Sequence, residues 1–214
     1  MDASAKLLAV NVGHPREIDT GRRTIKTAIY KVPVAGRVAV RGVNLEGDDQ
    51  ADRKLHGGPD KAVYAYGYDE ILAWEQELDR DLRPGAFGEN LTVGGLDVSG
   101  ARVGERWAVG STVLEVVQPR LPCFKLGIRM GDPKFVKRFG SAGRPGAYLR
   151  IVQEGDVGAG DVVEVVSRPE HEVSMRLAAH AALVDRSRLP ELLEAPTLLP
   201  DWREWILGLQ EPGG

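Results

Sequence analysis

The chain has 214 residues, 43% of them hydrophobic and 28% charged, the balance of an ordinary globular protein that can build its own core. A net charge of −3 argues against nucleic-acid binding as its main business, and a single cysteine excludes an intrachain disulfide framework. No apolar run reaches membrane-spanning length, and Met1–Lys6 has no basic stretch leading into an apolar core. No signal peptide or membrane partner is therefore read, and the cytoplasm is the expected compartment.

The 26 glycines and 13 prolines favour many short strands joined by turns. Leu7–Val12 is the first predicted strand. Thr24–Lys31 follows, alternating apolar and polar residues as a half-buried strand does. Val38–Val40 is a third, and Ala62–Tyr66 a fourth, ended by Gly67. Tyr68–Leu78 reads as an amphipathic helix with Ile71, Trp74 and Leu78 on one face. Pro84–Val93 is a glycine-hinged turn entering a strand; its Glu89-Asn90 pair suits either a site or turn capping. Arg106–Val109 and Thr112–Val117 flank Gly110-Ser111, a two-residue hairpin signal. Asp132-Pro133 opens a short helix, and Ala147–Val152 and Asp161–Val166 are two further strands. Such spacing predicts a mainly β domain, a barrel or sandwich.

At Pro169 the pattern becomes helical. Val173, Leu177, Ala181 and Val184 share a face, and Pro190 and Pro200 stand near the starts of two more helices. The division is thus a β domain over 1–168 and a three-helix extension over 169–214. The extension is too small for a large core of its own, so it packs on the β domain or on a partner, and a homodimer is one such arrangement.

Two polar stretches carry chemistry. In Gly47–Lys61, Asp48, Asp52 and His56 recur every fourth residue and on a helix could ligate a divalent metal. The same stretch reads equally as a solvated loop pairing its carboxylates with Arg53 and Lys54. It also reads as an oxyanion nest of His56, Lys61 and the Gly57 and Gly58 amides. The second stretch, Gln118–Arg129, follows a strand, and Pro119 and Pro122 make it a rigid loop. It holds Cys123 among Arg120, Lys125 and Arg129, cations that would favour a thiolate able to bind a soft metal or carry a persulfide. Against this stands the common use of free cysteine as a small buried hydrophobe.

Four stretches together resemble one family, the MOSC domain, named for the C-terminal part of molybdenum-cofactor sulfurases. They are Gly47-Asp48 through His56-Gly57-Gly58-Pro59-Asp60-Lys61, then Phe87-Gly88-Glu89-Asn90-Leu91, then Gln118-Pro119-Arg120-Leu121-Pro122-Cys123-Phe124-Lys125, and Gly146-Ala147-Tyr148-Leu149-Arg150 followed by Gly160-Asp161. The helical tail resembles that of the YiiM-like branch. The resemblance implies a pyruvate-kinase-barrel-like β-barrel, closed or partly open. It also implies a molybdenum–molybdopterin cofactor (Moco) with Cys123 as catalytic residue and metal ligand, and reduction of N-hydroxylated small molecules of the hydroxylaminopurine type. The cofactor's phosphate would be met by His56 and Lys61 first, with Arg22, Arg53, Arg120, Arg150, Gly57 and Gly58 as further contacts. Asn90 would bind the pterin or order its loop. A sulfur carrier with a persulfide on Cys123, a non-catalytic cofactor-binding module, and a hydrolase using Asp48, Asp52 and His56 are the rival readings. The sequence has no cysteine cluster for iron–sulfur and no strand–GxGxxG–helix unit. A reductase of this kind would draw electrons from a separate redox protein.

Overall fold

The structure, a computed structural model, describes residues 4–21, 23–49 and 57–210. The strands are β1 (Lys6–Val12), β2 (Arg16–Asp19), β3 (Thr24–Thr27), β4 (Val32–Pro33), β5 (Arg37–Arg41), β6 (Asn44–Leu45) and β7 (Val63–Gly67). Helix α1 (Tyr68–Leu78) leads to β8 (Leu91–Gly94), β9 (Arg106–Val109) and β10 (Thr112–Gln118). Helices α2 (Phe124–Met130) and α3 (Phe135–Ser141) precede β11 (Ala147–Gln153), β12 (Gly155–Gly158) and β13 (Val163–Ser167). Helices α4 (Met175–Leu183) and α5 (Pro200–Gln210) close the chain.

Eight strands form one sheet in the order β13-β9-β10-β11-β7-β8-β1-β4. Its one parallel pair, β7 with β8, is the pair that α1 connects, as a parallel neighbour requires a crossover. Register shifts at Leu7/Ala9 in β1 and at Val113/Leu114 and Val116/Gln118 in β10 bend the sheet. It curls into an open barrel. At one end the two sides meet: Leu7 N–H donates to Asp161 O at 2.9 Å and Val163 N–H to Ala5 O at 2.9 Å. At the other end β1 pairs instead with the short β4.

Two apolar clusters follow from the alternation of side chains. One fills the barrel with residues such as Leu7, Val63, Trp107, Leu114 and Leu149, and runs without a break into Met175, Ala178, Leu192 and Ile206 of the helical tail. The other is aromatic. It packs Tyr64, Tyr66, Trp74, Phe87, Phe135 and Phe139 between the sheet and α1 and α3. There the rings of Trp74 and Phe135 lie 4.9 Å apart, and the Trp74 indole N–H donates to Tyr66 Oη at 2.9 Å.

Three elements differ from their prediction. Thr24–Lys31 is a strand only as far as Thr27; beyond it Ala28, Ile29 and Lys31 turn into the cleft described below. The Gln118–Arg129 stretch is not all loop, because α2 begins at Phe124, directly after its N-cap residue Cys123, and stops at Gly131 with φ +73°. The middle tail helix is a 3₁₀ stretch, Arg186–Glu194, with Pro190 inside it rather than near its start. It opens at Asp185, whose side chain accepts from Ser187 N–H at 3.1 Å.

Candidate functional site

One mouth of the barrel opens into a cleft lined by polar and aromatic side chains. Four pieces of chain, distant in sequence, build its charged wall. A 3₁₀ turn at Pro59–Lys61 presents Lys61, the turn before β8 presents Asn90, and the β10–α2 connection presents Arg120 and Cys123, with Lys125 following in the first turn of α2. Tyr148 of β11 and the Lys31–Asp48 pair, which touches Asn90, line the same cleft.

The Asn90 turn is held by a carboxylate. Glu89 is fully buried and accepts from Gly85 N–H at 2.5 Å, Phe87 N–H at 3.0 Å and the Thr92 hydroxyl at 3.0 Å. Burial pushes its pKa up, and the donors from the turn pull the other way. Turn capping is therefore what Glu89 does. Asn90 is equally committed: its Oδ1 accepts from Tyr64 N–H at 3.1 Å, and its Nδ2 donates to Asn11 O at 3.2 Å and Asp48 Oδ2 at 2.8 Å. Its amide orders the loop by joining β1, β7 and Asp48.

Gly85 shows why the turn needs glycine. At φ +85°, an added Cβ would lie 2.5 Å from the Lys31 carbonyl oxygen. Gly85→Ala is expected to cost about 2 kcal/mol or more, from left-handed strain plus the clash, measured as a lowered denaturation midpoint. An unchanged midpoint would show that the Lys31 backbone moves aside freely.

Lys31 and Asp48 form a buried ion pair, their side chains 9% and 2% exposed. Asp48 Oδ1 also accepts from Gly13 N–H at 2.8 Å. Burial holds the Lys31 pKa below its ordinary value, although Asp48 works to raise it. Asp48 is thus spent on Lys31, Gly13 and Asn90 rather than offered to a metal. Among the described residues no group of three metal-ligating side chains occurs. Asp52 and His56, the other members of the predicted metal set, lie outside the described residues, as do Arg22 and Arg53.

Arg120 is 6% exposed, donates from Nη1 to Phe87 O, and sits 5.0 Å from the Tyr64 ring centroid. Among the described residues it has no carboxylate partner, which is rare for a buried charge. Burial works against its charge, and the tyrosines Tyr64 and Tyr148 that would raise its pKa do so only as anions, a state their own burial keeps them from near neutral pH. Cys123 is half-buried and free. Of the three cations predicted to flank it, Arg120 and Lys125 share its cleft, whereas Arg129 lies 4.9 Å from the Tyr30 ring centroid, outside the lining.

Arg150 is also placed elsewhere. Its guanidinium grips Asp60 Oδ1 at 2.8 and 2.6 Å and reaches Glu115 at 3.4 Å, which removes it from the cleft but anchors the turn that presents Lys61. Gly58, at φ +93°, starts that turn by accepting from Lys61 N–H at 3.1 Å, and neither Gly57 nor Gly58 lines the cleft. Lys31 and Tyr64 are lining residues the sequence did not single out. Lys31 ended an ordinary alternating strand pattern, and Tyr64 read as a strand interior.

Fold and cleft together define a class: an open β-barrel whose mouth gathers Lys31, Lys61, Arg120 and Lys125, with the acids Asp48 and Asp49, around one thiol. The model of the MOSC domain matches residues 52–164, and the chain belongs to that family. It is similar to YiiM of Escherichia coli (strain K12), 33% identical over 182 residues covering 82% of this chain and 81% of that one. A protein named reductase from Gibberella moniliformis is 35% identical over 167 residues, 76% of this chain but 29% of that longer one. The crystal structure of YiiM from Geobacillus stearothermophilus superposes with a TM-score of 0.77 at 30% identity, covering 95% of this chain and 98% of that one. No helix among the described residues is long and apolar enough to cross a membrane.

Proposed function

We propose that this cleft binds the molybdenum–pterin cofactor, with Cys123 as the protein ligand to the metal, and that the protein reduces N-hydroxylated compounds. The observation that carries the reading is the buried Arg120 guanidinium, without an acidic partner among the described residues, in the same cleft as a half-buried thiol. A cation kept in that state calls for an anionic ligand. A thiol suits a soft metal centre.

The residues fit the group. Arg120, Lys61 and Lys125 would meet its anionic groups, and Tyr64 and Tyr148, their rings tilted by 40° to each other, offer aromatic surface to a ring system. When bound, the cofactor supplies two-electron redox chemistry at its metal. The chain's own task is to hold and orient it: the Arg150–Asp60 pair fixes the Lys61 turn, and Glu89 and Asn90 fix the turn before β8. The overall reaction consumes two electrons and two protons, cleaves the N–O bond, and releases the amine and water. The name reductase borne by one relative, matched over 29% of its length, agrees with such an activity.

The test is elemental analysis and viologen-driven reduction of a hydroxylamine, on wild type and Cys123→Ala from a host that makes the cofactor. Wild type is expected to carry molybdenum and turn over, and Cys123→Ala to lose at least about 100-fold of the rate, as enzymes do when a group acting in the transition state is removed. Equal molybdenum in both would remove Cys123 as a required ligand. Persulfide on Cys123 with neither molybdenum nor reduction would favour a sulfur carrier.

A further inference from the structure

Arginines gather around the cleft mouth of a chain whose net charge is −3. Hairpin β2–β3 carries Arg16 and Arg23, both exposed, with the exposed acids Glu17 and Asp19 at the alternate positions of β2, and pairs Arg16 with Thr27 at the cleft wall. From there the chain runs beside α2. Arg23 lies 5.6 Å from the Phe124 ring centroid at the helix start, and Tyr30 lies against Arg129 near its end. Arg16 stacks on the same Tyr30 ring at 3.4 Å. Beyond Arg129 a groove is lined by Arg80, Arg83 and Arg129, with Asp81 as the acid in that lining. Among the described residues none of Arg16, Arg23, Arg83 or Arg129 has a carboxylate partner. Beside Cys123, Leu121 and Phe124 are 41% and 47% exposed. An apolar centre inside a charged rim is the anatomy of a protein-docking face.

We infer that this face docks an acidic one-electron carrier protein, placing it over the mouth that holds Cys123. The inference rests on the reductase reading, and it answers a need the sequence leaves open, since the chain has no iron–sulfur or flavin motif of its own. Two carrier molecules would each give up one electron per substrate reduced, with two protons taken up and one water released. Charge complementarity selects an acidic surface and speeds its encounter.

The test uses the molybdenum-loaded protein with two donors, reduced benzyl viologen and a reduced flavodoxin, an acidic flavin carrier. Arg23→Glu/Arg83→Glu changes two exposed side chains outside the cleft. It is expected to lower flavodoxin-driven kcat/KM about tenfold or more and leave the viologen-driven rate unchanged, the pattern of a rim charge that governs association. Raising salt from about 0.05 to 0.3 M should slow the flavodoxin reaction of wild type and have little effect on the variant. Equal flavodoxin-driven rates in the two proteins overturn the proposal. If wild type reduces nothing even with viologen, the reductase reading falls, and docking is then decided by titrating flavodoxin against both proteins. Salt-sensitive binding lost in the variant supports it. Binding of a single-stranded RNA at this face with none of flavodoxin overturns it.

Discussion

Asp48→Ala is expected to destabilise the protein by about 3–5 kcal/mol, the cost of leaving one member of a buried ion pair uncompensated. Lys31 would keep its charge in a site where it is 8% exposed, and Gly13 N–H and Asn90 Nδ2 would each lose an acceptor. For a chain of this length that is a fall in Tm of about 10 °C, read by circular dichroism. The pH dependence separates charge from hydrogen bonding. Burial already holds the Lys31 pKa below its unfolded value, so the unfolded chain binds more protons through that interval, and stability rises with pH there. Removing Asp48 takes away the group that raises this pKa. The interval widens downward, and the variant should gain stability from neutral pH toward about 10 more steeply than wild type. Lys31→Met/Asp48→Asn removes both charges and keeps an acceptor for Gly13, so it should recover most of the loss. A double variant as unstable as Asp48→Ala, with a flat pH profile, would assign the loss to the hydrogen bonds.

The local elements were readable where one physical rule settled them. Helix α1 has the predicted bounds Tyr68–Leu78, because an apolar stripe begins directly after Gly67 and no breaker interrupts it. The β9–β10 hairpin lies where Gly110 supplies φ +57°. Helix α2 was missed because the two prolines were taken to bar a helix from the whole stretch. Pro122 in fact precedes the N-cap, where a missing N–H costs nothing, and seven residues up to Gly131 remain free to coil.

The site was legible as chemistry but not as geometry. Thiol and cations were visible in one stretch, yet spacing alone could not show that Arg129 turns toward Tyr30 while Arg120 stays beside Cys123. Nor could it show Arg150 committed to Asp60, ninety positions away, since that pairing depends on β11 and the Lys61 turn becoming neighbours. Lys61, Asn90 and Cys123 share a cleft because β7 has β8 on one side and β11, followed by β10, on the other. That strand order is a property of the whole sheet and of no single segment.

Arg120→Met should separate function from stability in the opposite sense to Asp48→Ala. A buried guanidinium with no acidic partner among the described residues costs the folded protein its desolvation, only partly offset by the bond to the Phe87 carbonyl and the contact with Tyr64. An unbranched apolar side chain of similar length relieves that cost. The cofactor-free variant is therefore expected to melt no lower than wild type, and its Phe87 carbonyl loses one donor at most. Cofactor binding should move the other way. Losing a charge-assisted hydrogen bond of about 1.5–3 kcal/mol weakens affinity roughly 10- to 150-fold, so molybdenum content after purification should collapse. Arg120→Lys would keep the charge while giving up the planar fork, and should fall between the two. The decisive readout is the pair of melting curves with and without cofactor. Wild type should gain stability on loading and Arg120→Met should gain little, because only ligand that binds the folded state shifts its melting. A cofactor-free Arg120→Met protein that melts many degrees below wild type would instead make this guanidinium a structural tie between the Glu89 turn and the β10–α2 connection, and would leave the cofactor's anionic groups to Lys61 and Lys125.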